Sequence, residues 1–495
     1  MATVIQLIIS TLAAIGFLKT FLGLTVTTFL ATAVYRVTLH PLANIPGPRL
    51  WAITRLPYFY NLAIGRLHFR IHELHEQYGL VVRVAPGEIT LITESSWSDI
   101  YLKPPGKPEF RKELAQHSLA IPGLVLEGDD LHHSRKRKNF GSGFTEPAMR
   151  QQEPTVIKYI DQFIFCLRER SSKAIELNEW YSFLVFDIMG DIIFGESFDS
   201  LETGQTSEWA KSTFSYAANL IIGGVVQKLW PFHKILGYMV PPSVRRGADA
   251  HEECTKVKLD RRLAKSNPKP DMITPLLETL NTPSGVTYTE LRKAIIDIII
   301  GATDTITLAL GAMVYFLSHN QDVFTRLTYE IRMTFSTSAD ITNDHVKQLP
   351  YLNAAITEML RLSPPIPGFL RRIVPPAGCF IGGSYVPRNT IVSYDLWAGG
   401  HSAENFFRPN EFLPERYLAN PPDEFKNDKR KGYQPFSFGP RNCIGKNLAL
   451  LEVRLIISKL LWEFNLELQE ESRDWIQHGA FDRPPLMVKL TSVRK

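Results

Sequence analysis

The sequence predicts a mainly α fold with minor β, one large globular domain behind an N-terminal apolar helix. Three observations predict it. From Ala2 to Tyr35 the only charge is Lys19, helical apolar periodicity dominates the remainder, and a few short β-like runs carry turn residues at their ends. With 495 residues, 44% hydrophobic and 21% charged, the chain can bury a large core and is neither disordered nor fibrous. Lys and Arg number 55 against 50 Asp and Glu, a balance too even for a nucleic-acid footprint. The four cysteines, Cys166, Cys254, Cys379 and Cys443, lie far apart without a CxxC pair, which excludes a disulfide scaffold and a zinc module.

Residues 1–40 read as a membrane anchor. The stretch from Thr20 to Tyr35 covers only about 24 Å as a helix, so the span starts earlier and tolerates Lys19. Ala31-Thr32-Ala33 would suit signal cleavage, but the run is too long for a signal peptide and lacks a basic n-region. Arg36, His40, Arg49 and Arg55 follow the span, and the positive-inside rule places the rest of the chain in the cytosol. Residues 41–50 form a proline-rich hinge around Ile45-Pro46-Gly47-Pro48, which stops the helix and fixes a rigid exit. Residues 51–495 then form the main domain. Its β-like runs are Leu80 to Val84, Glu88 to Thr93, Cys379 to Val386 and Thr390 to Tyr394. The aromatic-rich segment from Leu220 to Ser243 reads either as core or as a loop dipping into the membrane interface.

Two helices are expected before the C-terminal region. Thr287 and Glu290 form a capping box, and Leu291 to His319 reads as one long apolar helix. Inside it stands Gly301-Ala302-Thr303-Asp304-Thr305, an acid and hydroxyls in an apolar helix, which fits a polar network or a kink that holds a water. A second helix starts at Pro350 and ends before Pro364-Pro365; Glu358 and Arg361 share one of its faces. The run Phe436-Ser437-Phe438-Gly439-Pro440-Arg441-Asn442-Cys443-Ile444-Gly445 precedes a further apolar-periodic helix starting near Asn447. A cysteine at a helix N-terminus meets free backbone N–H groups and the positive end of the dipole, which suit a thiolate and a soft metal. Gly439 and Gly445 allow backbone to approach a flat cofactor, and Arg441 can meet an anionic group.

This run resembles the full F-x-x-G-x-R-x-C-x-G signature of the cytochrome P-450 superfamily, and the resemblance extends from the proline hinge to the end of the chain. It implies haem b as cofactor, with Cys443 as the axial thiolate on iron, Phe436 shielding the sulfur and Arg441 near a propionate. A thiolate ligand favours O–O cleavage far more than a histidine does. Asp304 and Thr305 take the positions that organise proton delivery. The motif departs from the family pattern in the exchange of Gly301 and Ala302 and in Ile306, where a second hydroxyl is common. His133 with Arg137, and Arg372, resemble further propionate contacts. Glu358, Arg361 and Arg416 resemble the family's structural triad.

The resemblance also implies partners. Two basic runs, Arg135, Lys136 and Lys138 with Lys429, Arg430, Lys431 and Lys446, would share the face that docks an acidic flavoprotein. No flavin or nicotinamide fingerprint follows the domain, so electrons from NADPH would arrive through a separate NADPH-cytochrome reductase. The expected activity is insertion of one oxygen atom into a small apolar organic substrate, by hydroxylation or epoxidation. The lead-in at His40 to Leu42 and the Arg-Leu-Pro at Arg55 to Pro57 resemble fungal secondary-metabolism members of the endoplasmic reticulum membrane, acting on polyketide or terpenoid intermediates. A substrate pocket is expected from Phe110 to Leu126, near Ile300, Ile366 to Phe369, and Ala480-Phe481. The alternative is a reductase-independent haem-thiolate isomerase or dehydratase, against which the Asp304-Thr305 pair counts.

Overall fold

A computed structural model describes residues 2–102, 110–113, 122–171, 173–207, 209–212, 241–266, 270–368, 370–477 and 484–494. It is mainly helical with three small sheets, as the periodicity predicts. Of the sequence expectations, residues 220–240 of the aromatic-rich segment, Phe369, Ala480, Phe481 and part of the 110–126 loop lie outside the described residues.

Helix α1 (Ala2–Thr38) is continuous and is exposed over residues 11–31, and its apolar part, Thr11–Thr38, has a mean hydropathy of 1.6. The candidate span therefore includes Lys19, as the shortness of the following stretch requires. Arg83, only 2% exposed, ties the end of this helix to the domain. Its guanidinium donates to the carbonyls of Arg36 at 2.8 Å, Leu42 at 3.3 Å and Pro86 at 2.7 Å.

In the domain, α2 (Leu67–Tyr78) packs on strand β1 (Val81–Ala85), which pairs antiparallel with β2 (Glu88–Leu91). Strands β3 (Arg111–Lys112), β5 (Arg372–Ile373) and β8 (Ile391–Tyr394) complete a sheet of order β1-β2-β8-β5-β3, in which β2 and β8 run parallel. Its register sets Lys112 directly opposite Arg372. The Cys379 to Val386 run is a hairpin of β6 (Cys379–Ile381) and β7 (Ser384–Val386). A third sheet, β4 (Ala174–Glu176) with β9 (Phe464–Leu468) and β10 (Met487–Ser492), joins residues far apart in the chain; the sequence reading does not contain it.

The main core lies among α4 (Glu146–Arg170), α5 (Leu177–Phe194), α6 (Tyr288–His319) and α8 (Lys446–Glu463). Helix α6 begins at the expected capping box of Thr287 and Glu290. It is as long and apolar as a membrane span, yet 72% of its apolar window is buried inside the protein. It is the central core helix. Between α4 and the cavity runs α3 (Asp130–Gly141), N-capped by Asp129.

Two histidines in the sheet region stay neutral when folded. His75 bonds the Gly79 carbonyl through Nδ1 at 2.8 Å and the Thr90 hydroxyl through Nε2 at 2.9 Å, and burial pushes its pKa down to about 4. His401 stacks on Trp397 at 4.3 Å and is pushed down by burial to about 3. The unfolded chain takes up these protons near the ordinary value of 6.5, so acid favours the unfolded state. Stability is therefore complete above pH 6.5 and falls as the pH drops toward 4, by about 2 kcal/mol per histidine near the middle of that window. Urea unfolding across this range should show the loss, and His75→Gln should flatten it.

Candidate functional site

The 436–445 loop closes on itself and against the turn at 97–101. The Cys443 N–H donates to the Phe436 carbonyl at 2.8 Å. Gly439 has φ +75°, and a Cβ there would come within 2.1 Å of the Tyr101 carbonyl, so only glycine seats the loop at this point. Burial pushes the Cys443 thiol up, opposed by the Gly445 N–H, the Arg137 and Lys446 charges and the Lys446 N–H. That set of donors is the helix N-terminus expected from the sequence.

Cys443 faces a cavity of about 330 Å³ whose lining is mostly apolar. The same lining includes a stretch of α6, which contributes Gly301, Ala302, Thr305 and Ile306. The Thr305 hydroxyl donates to the Gly301 carbonyl at 2.6 Å, leaving its oxygen as an acceptor on the wall. Asp304 is fully buried and stands outside the lining, because one residue along a helix turns the side chain about 100°. The structure thus splits the pair: the hydroxyl meets the cavity and the acid meets the protein.

Charge gathers at one end of the cavity. Lys112, His133, Arg137 and Arg441 all belong to the lining. Burial and the neighbouring charges of Arg372, Arg441 and Arg137 push Lys112 down to about 7, against the pull of Asp297. His133 is pushed down to about 3 by burial and by Arg441, Lys112 and Arg137. Part of each arginine braces the frame. Arg441 donates to the Glu127 carbonyl at 2.6 Å and to Asp130 at 3.1 Å, and Arg137 donates to the carbonyl and side-chain oxygen of Asn442.

Several expected positions differ. Gly439 is outside the lining, and its φ and the Tyr101 carbonyl already require glycine there. Arg372 is also outside it, buried with its guanidinium 5.1 Å from the Tyr101 ring. Gly445 does line the cavity, 3.9 Å from Cys443 Sγ at its missing Cβ. Lys136, read as part of an exposed basic run, is 1% exposed and binds Glu127 at 2.8 Å, while Arg135 pairs with Glu290. Lys429 and Arg430 are half-buried, and Lys138, Lys431 and Lys446 are the exposed cations of the two runs. Lys112 lies within the expected pocket run 110–126, which does not single it out as a cation of the lining, and the sequence reading does not name Asp297. Asp297 had a signal: it is the one charge in the apolar run 294–300.

Behind the loop, Glu358, Arg361 and Arg416 come together, each 0% exposed. Glu358 takes two bonds from Arg361 at 2.7 Å and one from Arg416 at 3.0 Å. Asp428, which the sequence did not reveal, pairs with Arg416 and leaves two carboxylates against two guanidiniums. The remaining Arg361 N–H groups hold the Gly400, Pro409 and Glu411 carbonyls, so the network pins the segment that leads into the cysteine loop.

A loop cysteine that opens onto an apolar cavity, with cations at one end, defines a haem-thiolate class of site. Comparison with known proteins gives the same class. Residues 45–491 match the cytochrome P450 family model. The chain is 37% identical to cytochrome P450 monooxygenase astJ of Aspergillus oryzae, over 92% of this chain and 93% of that protein. It is 36% identical to averantin hydroxylase of Dothistroma septosporum, over 93% and 89%, and 36% identical to cytochrome P450 monooxygenase cpaH of Aspergillus oryzae, over 96% and 94%. The chain belongs to the cytochrome P450 family and is a monooxygenase, an oxidoreductase.

The family implies haem, and the residues fit it. Among the described residues, no atom beyond the adjoining stretch of α6 lies within 4 Å of the Cβ that Gly301 lacks, so bare helix backbone faces the cavity that Cys443 also lines. Lys112 and Arg372 are cross-strand neighbours of like charge, an unfavourable pairing in isolation that an anionic group relieves. A flat apolar macrocycle with carboxylates on one edge satisfies both features, and a metal cation ionises a thiol that burial otherwise keeps protonated.

Removing Glu358 leaves two buried guanidiniums short of a partner. Glu358→Ala should lower stability by about 3–5 kcal/mol, read from urea unfolding, and should reduce bound haem. Wild-type stability in this variant would contradict the pinning role.

Proposed function

We propose that this chain is a haem-thiolate monooxygenase of the endoplasmic reticulum membrane, anchored by residues 1–40, with hinge 41–50 and a cytosolic domain 51–495. It inserts one oxygen atom from O₂ into an apolar polyketide or terpenoid intermediate of fungal secondary metabolism, by hydroxylation or epoxidation. The observation that carries the reading is that Cys443 and Thr305 line one apolar cavity.

Haem b bound through Cys443 supplies oxygen activation, and its thiolate ligand favours O–O cleavage. Around it the protein's own groups have separate tasks. Phe436 and Gly445, both in the lining, shield the sulfur and let backbone come close. His133, Arg137 and Arg441 hold the carboxylate edge, Lys112 joins them, and Arg372, opposite Lys112 on the neighbouring strand, adds its charge. Thr305 accepts and passes a proton on the cavity wall, and Asp304 keeps an acid in the same helical turn. The apolar lining excludes water and receives the substrate by burial of its apolar surface. Glu358, Arg361 and Arg416 keep the cysteine loop in place.

Electrons come from NADPH through a separate NADPH-cytochrome reductase, whose acidic face meets Lys138, Lys431 and Lys446. Hydroxylation as the reaction is supported by the name of one relative, averantin hydroxylase.

The test is incubation of the full-length protein, a reductase and NADPH with averantin and a panel of aromatic polyketides and terpenoids under isotopically heavy O₂. The expected product carries one heavy oxygen atom and requires NADPH. A rearranged or dehydrated product formed without NADPH and O₂ would instead establish the isomerase or dehydratase reading.

A further inference from the structure

Asp297 is a carboxylate in the cavity wall that the proposed chemistry does not use. It lies on α6 one turn before Gly301, where both line the cavity. The peptide N–H of Val125 donates to its Oδ2 at 2.7 Å, and the Leu124 N–H also stabilises its charged form. At Gly123 an added Cβ would lie 2.3 Å from Asp297 Oδ2 and 2.9 Å from the Lys293 carbonyl. The 122–127 backbone therefore touches α6 with no room between.

The same short segment is held from its carbonyl side by cations. Lys112 Nζ donates to the Val125 carbonyl at 2.8 Å, Lys136 Nζ to Pro122 at 2.8 Å and Arg441 to Glu127 at 2.6 Å. Leu124 and Val125 line the cavity. Among the described residues, Asp297 is the side chain that accepts from this backbone between Pro122 and Val125. Without it, two N–H groups beside the cavity lose a charged acceptor while the carbonyl contacts remain.

We infer that Asp297 is a positioning residue that holds segment 122–126 against α6 and thereby sets the shape of the cavity's substrate side and the rate of ligand entry. The inference rests on the reading of this cavity as the substrate chamber. It makes the segment part of the specificity apparatus: its apolar residues Leu124 and Val125 face the ligand because a half-buried carboxylate fixes the peptide between them.

The experiment uses the full-length, haem-loaded protein and two readouts: amide hydrogen exchange over 122–127, and the rate of 4-phenylimidazole binding followed by the Soret shift. Asp297→Ala should raise exchange in this segment roughly tenfold or more and speed azole association, with exchange in α8 unchanged. Asp297→Asn, which keeps an acceptor, should stay within about threefold of wild type on the same scale. Gly123→Ala should raise segment exchange as Asp297→Ala does. Wild-type exchange in Asp297→Ala overturns the inference, as does Asp297→Asn exchanging as fast as Asp297→Ala. Should Asp297→Ala also loosen α8, Gly123→Ala decides: raised segment exchange sustains the inference and unchanged exchange overturns it. Failure of the haem-thiolate reading would show separately, in the carbon monoxide spectrum of the wild type.

Discussion

Placing one sulfur at the floor of an apolar cavity sets two opposing demands. Desolvation favours the neutral thiol, whereas a metal ligand must be a thiolate. The fold meets the second demand locally, with backbone N–H groups at the start of α8 and the charges of Arg137 and Lys446. It meets the first by closing the cavity with side chains of α6, which is why that helix is buried although its composition would suit a membrane. The position of the sulfur in turn depends on the loop, and the loop on the buried network of Glu358, Arg361, Arg416 and Asp428.

Charge is arranged asymmetrically around this chamber. The α6 wall is apolar apart from Thr305 and Asp297, while the sheet edge sends Lys112, α3 sends His133 and Arg137, and the cysteine loop sends Arg441 to one end. Such crowding is unfavourable among protein groups alone, and it shows in the downward shifts of Lys112 and His133. The arrangement suits a dianionic, flat, otherwise apolar group lying with its carboxylates at that end. Two of the arginines also bond the loops on either side, so holding that group and holding the frame are coupled through Arg137 and Arg441.

Much of this was legible in the sequence because it is local. The capping box at Thr287 and Glu290, the helix it starts, the Glu358 and Arg361 spacing and the contiguous cysteine loop all sit within short windows. What stayed hidden depends on long-range pairing. Lys112 reaches the cavity from a two-residue strand whose partner lies at Arg372. Asp428 joins the triad through irregular chain, and the β4-β10-β9 sheet ties residue 174 to residue 489. Lys136 reads as a solvated cation in a basic run, yet its helix face turns inward to Glu127. Gly439 has the right residue type for a reason the motif does not reveal, contact with Tyr101.

The central claim is that Cys443 is the axial ligand. The most direct measurement is the carbon monoxide difference spectrum of the dithionite-reduced, full-length protein, wild type against Cys443→Ser. A strongly red-shifted Soret band in the wild type that disappears in the variant, with helical circular dichroism unchanged, is the predicted result. A folded, haem-loaded wild type without that band, or a variant that retains it, would contradict the account.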